Sequence, residues 1–231
     1  MTAPQYDDSV RWWKDGERTL ARLVEEMADD DLAASSALPD WSRAHVVAHL
    51  ARNADALVNL LDWARTGVET PMYPSREARN AGIDQTAALS PKDLKADYSK
   101  ACARFADAVE TMPAEAWTAT LRNMQGGQIP ASAVPWMRAK EIWVHGVDLA
   151  AGLTLTDASA DFCVALVDDV LATFTARDEA PDVTLVGIDV DRSWGSGSNT
   201  VQGPVSAIAA WLTRGDATGL TGQVPPAPRW L

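Results

Sequence analysis

Cysteine is scarce in this sequence: Cys102 and Cys163 are the two cysteines among its 231 residues. They show no CxxC spacing, which argues against a disulfide framework and against a zinc site built from thiolates. Each lies in a largely apolar helical run, so both are interpreted as core residues rather than as nucleophiles. Neither cysteine therefore indicates sulfur chemistry of the chain's own.

Positive charge is also in deficit, with 20 Lys and Arg against 32 Asp and Glu and a net charge of -12. A nucleic acid or an anionic membrane needs a cationic face, so neither is expected as a partner. No apolar run is long enough to cross a bilayer, and the N-terminal residues show no basic region followed by an apolar core. We expect a soluble cytoplasmic protein, and its 47% hydrophobic content suffices for a buried core.

Amphipathic segments dominate the N-terminal part of the chain. Apolar residues recur at helical spacing in four of them: 7–32, 38–67, 89–113 and 130–153. Ser42 is expected to cap the second helix, and Ser90 is expected to cap the third, with Pro91 at its first position. Short and medium connections between such helices predict a helical bundle.

The pattern changes after Gly152. Residues 182–203 alternate in polarity and carry β-branched side chains, which predicts two strands around a Gly/Ser turn. Helices are predicted before and after these strands, and the last residues are rich in proline. We therefore predict an α+β protein with a four-helix-bundle domain, 1–153, and a small α+β domain, 154–231.

The few histidines of the chain are spaced so that they could contribute to one binding site. Glu141 lies four residues before His145, so the two side chains share one face of a predicted helix. His45 and His49 form a second pair with this spacing on another helix. Facing helices of a bundle build sites together, and two imidazoles with one carboxylate match a catalytic zinc site with an open fourth position. The spacing thus predicts a metal site.

Two purely structural explanations fit the same spacing. A glutamate and a histidine four residues apart are commonly a surface ion pair, and a histidine in the first turn of a helix commonly hydrogen-bonds locally. The spacing also does not say which histidine of the second helix binds the metal. His49 lies deeper in that helix beside an apolar stripe and is favoured as the ligand. His45 is assigned to the surrounding pocket, where it would contact substrate or thiol.

Two stretches, "DWSRAHVVAHLARNADALVNLLDWARTGVETPMYPSREARN" and "VPWMRAKEIWVHGVDLAAG", closely resemble the mycothiol-dependent maleylpyruvate isomerases, a branch of the DinB-like helical metalloenzymes. The tail "GQVPPAPRWL" is similar to the end of the same proteins. The resemblance implies a DinB-like four-helix bundle followed by a sterol-carrier-like domain. It also implies zinc bound by His49, Glu141 and His145.

The resemblance further implies a reaction. Maleylpyruvate, a cis-alkene conjugated to a carbonyl, becomes its trans isomer fumarylpyruvate during gentisate breakdown. Addition of a mycothiol thiolate leaves a single bond that rotates, and elimination restores the alkene, which is covalent catalysis with a borrowed nucleophile. Zinc would lower the pKa of the thiol or polarise the substrate carbonyl, and the residues do not distinguish these two roles.

The substrate implied by the resemblance is a dicarboxylate, so the site needs cations. Arg79 is the first candidate because a guanidinium grips a carboxylate with two hydrogen bonds, and a surface loop arginine is its alternative. Arg229 in the tail is the second candidate, with a domain-docking salt bridge as its alternative. Asn53, one turn beyond the favoured histidine, is a candidate for binding the thiol or only a water. Asp148, three residues past the other ligand histidine, is a candidate for orienting it.

Two other functions fit the same features. One is a mycothiol S-transferase that uses the same zinc and thiol on other electrophiles. The other is a non-catalytic regulatory protein with a structural zinc ion. Structural zinc normally has four protein ligands, and no cysteine lies near the site, so the second alternative needs His45 as a fourth ligand.

Overall fold

Residues Pro4–Leu153 form the first of two units in the computed structural model, which describes residues 4–230. The helices of this unit are α1 (Tyr6–Glu26), α2 (Arg43–Thr66), α3 (Arg76–Ala87), α4 (Pro91–Glu110) and α5 (Val134–Asp148). Helix α2 packs against α4 and α5, and α1 packs against α5, so the long helices form the predicted bundle. Within residues 4–230, no helix combines the length and apolar character that a membrane span requires.

The helix boundaries follow the capping residues of the sequence. The Ser42 hydroxyl accepts a hydrogen bond from the backbone N–H of His45 at the start of α2, and Gly67 ends that helix with a φ of 73°. Ser90 caps α4 in the same way, and Pro91 occupies its first turn. These positions confirm the predicted caps, because side-chain oxygens at the N-cap and a left-handed glycine at the C-terminus satisfy the free backbone groups of a helix.

Helix α5 is held closely by its neighbours in the bundle. A Cβ added to Gly16 of α1 would lie 2.7 Å from Trp143 Nε1 of α5, so glycine permits this close approach. The same Trp143 nitrogen donates to the carbonyl of Trp12 at 3.1 Å. At the other end of α5, Arg43 of α2 donates to the carbonyl of Leu149 at 2.9 Å. These contacts hold α5 between α1 and α2.

Three elements of the first unit carry too little signal for the sequence to predict them. Helix α3 follows a proline-containing turn, and only Ile83 and Thr86 of its residues are buried, so it shows no clear hydrophobic periodicity. Strands β1 (Thr120–Arg122) and β2 (Gln128–Pro130) form an antiparallel hairpin of three residues each. Such short strands are too brief for an alternating pattern to stand out.

The second unit begins at Thr154 and combines two helices with a small sheet. The helices are α6 (Ala160–Ala176) and α7 (Val205–Arg214), and the strands are β3 (Thr184–Gly187), β4 (Arg192–Trp194) and β5 (Thr200–Gly203). The strand order is β4-β3-β5, with β3 antiparallel to β4 and parallel to β5. The prediction of two strands around a Gly/Ser turn is wrong in the number of strands, because a turn at residues 188–191 divides the first predicted strand into β3 and β4.

The observed elements confirm the α+β class. The division into two domains, 1–153 and 154–231, stays a prediction. Residues 1–3 and 231, the outer ends of the two predicted domains, lie outside the described residues.

Candidate metal centre

Three side chains able to bind a metal converge between α2 and α5. His49 belongs to α2, and Glu141 and His145 lie one turn apart on α5. His49 Nε2 lies 2.9 Å from Glu141 Oε2, and His145 Nε2 lies 3.4 Å from the same oxygen. One possible ligand atom of each residue lies within 4.8 Å of the other two. We call these three residues the donor cluster.

The spacing of the donor cluster can be compared with that of a four-coordinate metal site such as zinc. In a tetrahedral site with bonds of about 2.0–2.1 Å, neighbouring ligand atoms lie about 3.3–3.4 Å apart. The two contacts to Glu141 Oε2, at 2.9 and 3.4 Å, lie close to that spacing. Two of the three ligand pairs therefore already lie near the spacing around a single ion, and all three possible ligand atoms lie within 4.8 Å of one another.

Asp148 fixes the orientation of His145. Its Oδ2 lies 2.7 Å from His145 Nδ1, and its side chain is 1% exposed. This contact directs Nε2 of the ring toward Glu141 Oε2, which lies 3.4 Å away. A carboxylate behind a histidine is also the usual support of a metal ligand.

Helix α3 brings a cation to the donor cluster. Arg79 Nη2 lies 3.3 Å from His49 Nδ1, and Arg79 Nη1 donates to Asn80 Oδ1 at 3.1 Å. Because a guanidinium can only donate, His49 Nδ1 accepts, and Nε2 carries the proton that is donated to Glu141. The arginine that the sequence nominates for the pocket therefore contacts the donor cluster directly.

His49 and Glu141 are held in forms that can bind metal. Burial and the neighbouring His145 lower the pKa of His49 to about 4, against the opposing influence of Glu141. Burial raises the pKa of Glu141, but the hydrogen bond and charge of His49, the charge of His145 and that of Arg138 outweigh it and bring the pKa to about 2. At neutral pH the pair thus consists of a neutral imidazole and a carboxylate, the forms that coordinate a metal ion.

The comparisons with known proteins agree with this geometry. The family model of the mycothiol maleylpyruvate isomerase N-terminal domain matches residues 13–150. A crystal structure of the mycothiol-dependent maleylpyruvate isomerase is similar over 100% of both chains, with 30% sequence identity and a TM-score of 0.92. The chain belongs to this isomerase family.

Further comparisons add little to this assignment. The structure of a histidine-to-alanine mutant of the isomerase gives the same TM-score of 0.92 and 30% identity over 100% of both chains. A probable metal-dependent hydrolase from Bacillus subtilis with an unusual four-helix bundle topology is more distant, at 18% identity and a TM-score of 0.49 over 65% of this chain and 88% of that one. No curated protein gave a significant match.

Membership in the isomerase family confirms the resemblance deduced from the helical motifs. It also identifies the chain as a member of an enzyme family, which disfavours the alternative of a non-catalytic zinc protein. The donor cluster agrees with this view, because within residues 4–230 it contains three ligand residues and not the four of a structural zinc site.

Two polar residues of α2 that the sequence assigns to binding have local partners. His45 Nδ1 lies 2.7 Å from Ser42 Oγ and accepts from the Ser42 N–H at 3.3 Å, so the ring completes the helix cap outside the donor cluster. Asn53 is buried, and its Oδ1 accepts from Arg138 Nη1 at 3.0 Å. Their roles in binding substrate or thiol stay predictions.

Arg229 lies in the second unit, where its backbone carbonyl accepts a hydrogen bond from Arg177 Nη1 at 3.2 Å. The role of Arg229 in substrate binding stays a prediction.

Two aromatic residues at the site were missed by sequence reasoning. The Trp41 ring centroid lies 5.6 Å from that of His49 and stacks on His45 at 6.3 Å, so it forms an apolar wall beside the cluster. Tyr73 lies under the guanidinium of Arg79, at 5.9 Å, and burial together with the charge of Glu141 raises its pKa to about 12. The only available signal was their position, beside a helix cap and beside prolines.

Proposed function

We propose that this protein is a zinc- and mycothiol-dependent cis–trans isomerase that converts maleylpyruvate to fumarylpyruvate, a step of gentisate breakdown. The observation that carries the proposal is the donor cluster of His49, Glu141 and His145, in a chain that shares 30% identity over its full length with an isomerase of that name. Two imidazoles and one glutamate are a recurrent ligand set of catalytic zinc.

His49, Glu141 and His145 would hold the zinc ion. When bound, zinc would supply Lewis acidity that lowers the pKa of a thiol or polarises the substrate carbonyl. The chain contributes the orientation of the ligands, since Asp148 fixes the ring of His145 and the bundle fixes α2 against α5. Trp41 covers one side of His49 and would limit the access of water.

An external thiol is favoured because the cysteines of the chain are unsuited to attack. Burial raises the pKa of both Cys102 and Cys163 to about 12, so only about one in 10⁵ would be a thiolate at pH 7. Reversible addition of a thiolate to the alkene would turn the double bond into a single bond that can rotate, and elimination would restore it in the trans form. Mycothiol, the thiol that gives the family its name, fits this role.

Arg79 is proposed to bind a carboxylate of the substrate. It lies beside the donor cluster, where its Nη2 contacts His49 Nδ1 at 3.3 Å. Coordination of a metal through Nε2 would leave the proton of His49 on Nδ1, which could then no longer accept from Arg79. The N–H groups of the guanidinium would become available for a bidentate contact with a carboxylate. Arg229 is the second candidate for this task.

A substrate panel tests the proposal. Purified protein loaded with one equivalent of zinc would be supplied with mycothiol and with maleylpyruvate, or with mycothiol and a series of unrelated electrophiles. We expect isomerisation of maleylpyruvate that requires both zinc and thiol, with no net consumption of the thiol. Stoichiometric loss of thiol onto other electrophiles, without isomerisation, would instead establish the S-transferase alternative.

A further inference from the structure

A second polar cluster lies in the interior of the bundle, one helical turn from the donor cluster. We call it the Glu17 cluster, and its side chains come from all four long helices: Trp13, Glu17, Asn53, Tyr98, Cys102 and Arg138. Glu17 Oε1 accepts from Tyr98 Oη at 2.8 Å and from Cys102 Sγ at 2.9 Å. Glu17 Oε2 accepts from Trp13 Nε1 at 3.1 Å and from Arg138 Nε at 3.2 Å. The carboxylate is thus surrounded by hydrogen-bond donors.

Arg138 connects this cluster to the helix that carries His49. Its side chain is fully buried, and its Nη1 donates to the carbonyl of Leu50 at 2.7 Å and to Asn53 Oδ1 at 3.0 Å. Leu50 directly follows His49, and Asn53 lies one turn beyond it. One guanidinium therefore grips the backbone and a side chain of α2 next to a proposed metal ligand.

Arg138 also shares a face of α5 with the other two ligands. Glu141 follows it by three residues and His145 by seven, which places all three on one side of the helix. The contact between α2 and α5 at Arg138 therefore lies directly below the contact between His49 and Glu141. Because a helix rises 1.5 Å per residue, slippage of α2 along α5 by one residue would move His49 away from Glu141 by a similar distance.

Stability alone gives a weak reason for this arrangement. Burying a guanidinium and a carboxylate removes both from water, and replacing such a pair by apolar side chains of similar volume is often neutral or stabilising. The best-attested use of a buried polar group is to fix the register of packed elements. The contacts of Arg138 join the two helices whose register determines the geometry of the donor cluster.

We propose that Arg138 is a positioning residue for the donor cluster: it fixes α2 against α5 so that His49 Nε2 and Glu141 Oε2 remain in contact. Glu17 holds the guanidinium in the orientation that reaches Leu50 and Asn53. The geometric part of this inference concerns the metal-free protein, and only its effect on metal affinity rests on the proposed function.

The test uses a double variant, Glu17→Gln with Arg138→Met, which removes both charges and roughly keeps the side-chain volumes. Arg138→Lys keeps the charge, but a single ammonium cannot reach Glu17, Leu50 and Asn53 together. The control is Arg104→Met, which removes a surface arginine that also bridges two bundle helices, from α4 to Asp55 of α2. Circular dichroism and cooperative unfolding establish that each variant is folded.

Two measurements report on the donor cluster. The first is nitrogen NMR of the imidazoles in the metal-free protein, which is simple to assign because the chain has three histidines. We expect the hydrogen-bonded Nε2 proton of His49 to disappear in the double variant and to persist in the control. The second is zinc affinity by chelator competition, which should fall about ten- to a hundredfold in the double variant, as for other supports of metal ligands. In the control it should change less than about twofold.

The outcomes separate the inference from the proposed function. A folded double variant that keeps the wild-type His49 signal and zinc affinity would overturn the positioning role. If the double variant does not fold, Arg138→Lys decides by the same two measurements, and a wild-type His49 signal there would equally overturn it. If the wild-type protein binds no metal, the proposed function fails, and the imidazole signals still decide whether Arg138 positions His49.

Discussion

The bundle contains two polar clusters that share α2 and α5 and differ in how their hydrogen bonds are satisfied. In the Glu17 cluster, one carboxylate accepts from a phenol, a thiol, an indole and a guanidinium, so donors surround an acceptor. In the donor cluster, two imidazoles and a carboxylate converge, and the Nε2 atoms of both His49 and His145 lie close to one oxygen of Glu141. The first arrangement surrounds a carboxylate with hydrogen-bond donors, whereas the second brings three potential metal ligands together.

Exposure separates the carboxylates of the two clusters. The side chain of Glu17 is 15% exposed and that of Glu141 is 28% exposed, while His49 at 4% and His145 at 13% are no more exposed than Glu17. A closed, satisfied network makes the core specific, and a partly open set of potential ligands can admit an ion and a substrate. The difference shows that burial alone does not identify a site; the types of side chain that converge at one point do.

The largest expected effect comes from removing a ligand of the donor cluster. His145→Ala should lose its zinc and lower kcat/KM for isomerisation by at least about a thousandfold, because Lewis-acid assistance is worth several kcal/mol. Zinc content by elemental analysis and steady-state kinetics measure the two effects. His45→Ala serves as the control, since it also removes a histidine but one outside the cluster, and it should keep its zinc. Full zinc retention in His145→Ala would end the three-ligand account.

Lowering the pH should destabilise the protein through protonation of His49. Unfolded His49 binds a proton below about pH 6.5, and folded His49 does so only below about pH 4, because its pKa is lowered to about 4. The contribution of neutral His49 to the free energy of unfolding is therefore fully present above pH 6.5. It is lost as the pH falls through 4, which lowers that free energy by about 3 kcal/mol. Glu141, with its pKa lowered to about 2, adds a loss only between about pH 4.5 and 2.

Urea unfolding of the metal-free protein between pH 7 and 4 measures this loss. His49→Gln removes the titrating group and should flatten the free energy of unfolding in that range. A wild-type protein whose loss between pH 7 and 4 equals that of the glutamine variant would show that His49 is not held neutral by the fold.

Removing Arg79, the residue proposed to bind a substrate carboxylate, should lower kcat/KM without changing the zinc content. Arg79→Ala should lower kcat/KM by about ten- to a hundredfold, since a charge-assisted bidentate contact is worth roughly 1.5–3 kcal/mol. Arg79→Lys should recover part of the loss because it keeps the charge without the fork. Zinc content should match the wild type in both. Arg76→Ala, which removes an exposed arginine from the same helix, is the control, and wild-type kinetics in Arg79→Ala would shift attention to Arg229.

Changing Asp148, which contacts His145 Nδ1, should weaken metal binding. Asp148→Asn keeps the size of the side chain but replaces the carboxylate that accepts from His145 Nδ1. Zinc affinity by chelator competition should fall about ten- to a hundredfold, the usual effect of changing a residue behind a metal-bound histidine. An unchanged dissociation constant would mean that the packing of α5 alone orients the imidazole.

The smallest effect is expected from the cysteines. Replacing Cys102 and Cys163 together by serine should leave most of the activity, because the attacking sulfur is expected to come from mycothiol. Serine at position 102 can still donate to Glu17, so the interior cluster should also persist. A folded double variant that is inactive with mycothiol supplied would point to a nucleophile on the chain.

Much of the fold could be predicted because it depends on local chemistry. Ser42, Ser90 and Pro91 mark helix starts by satisfying or omitting backbone N–H groups, and the structure has helices starting there. Helix α3 and the separate strand β4 were missed because they are short or mostly exposed, so no hydrophobic period marks them. The turn at residues 188–191 divides β3 from β4, and the polarity pattern did not mark it.

The ligand residues were predictable for a similar reason, since a spacing of four residues on a helix fixes a common face. The residues that pack around these ligands could not be predicted. Arg138 and Glu17 are separated by 121 positions in the sequence and meet only through the packing of α1 against α5. Tyr73 and Trp41 lie in segments without periodicity. Such long-range contacts follow from the tertiary structure alone.

X-ray absorption at the zinc edge tests the central claim most directly, because it reports the ligands of the metal itself. For the wild-type protein loaded with one equivalent of zinc, we expect only nitrogen and oxygen ligands at about 2.0–2.1 Å. The site should be four-coordinate, with one position not supplied by the protein. If zinc activates the thiol, mycothiol should add one sulfur at about 2.3 Å, and an unchanged spectrum would favour the carbonyl role. Sulfur at the metal before mycothiol is added, or failure to bind zinc at all, would contradict the three-ligand site.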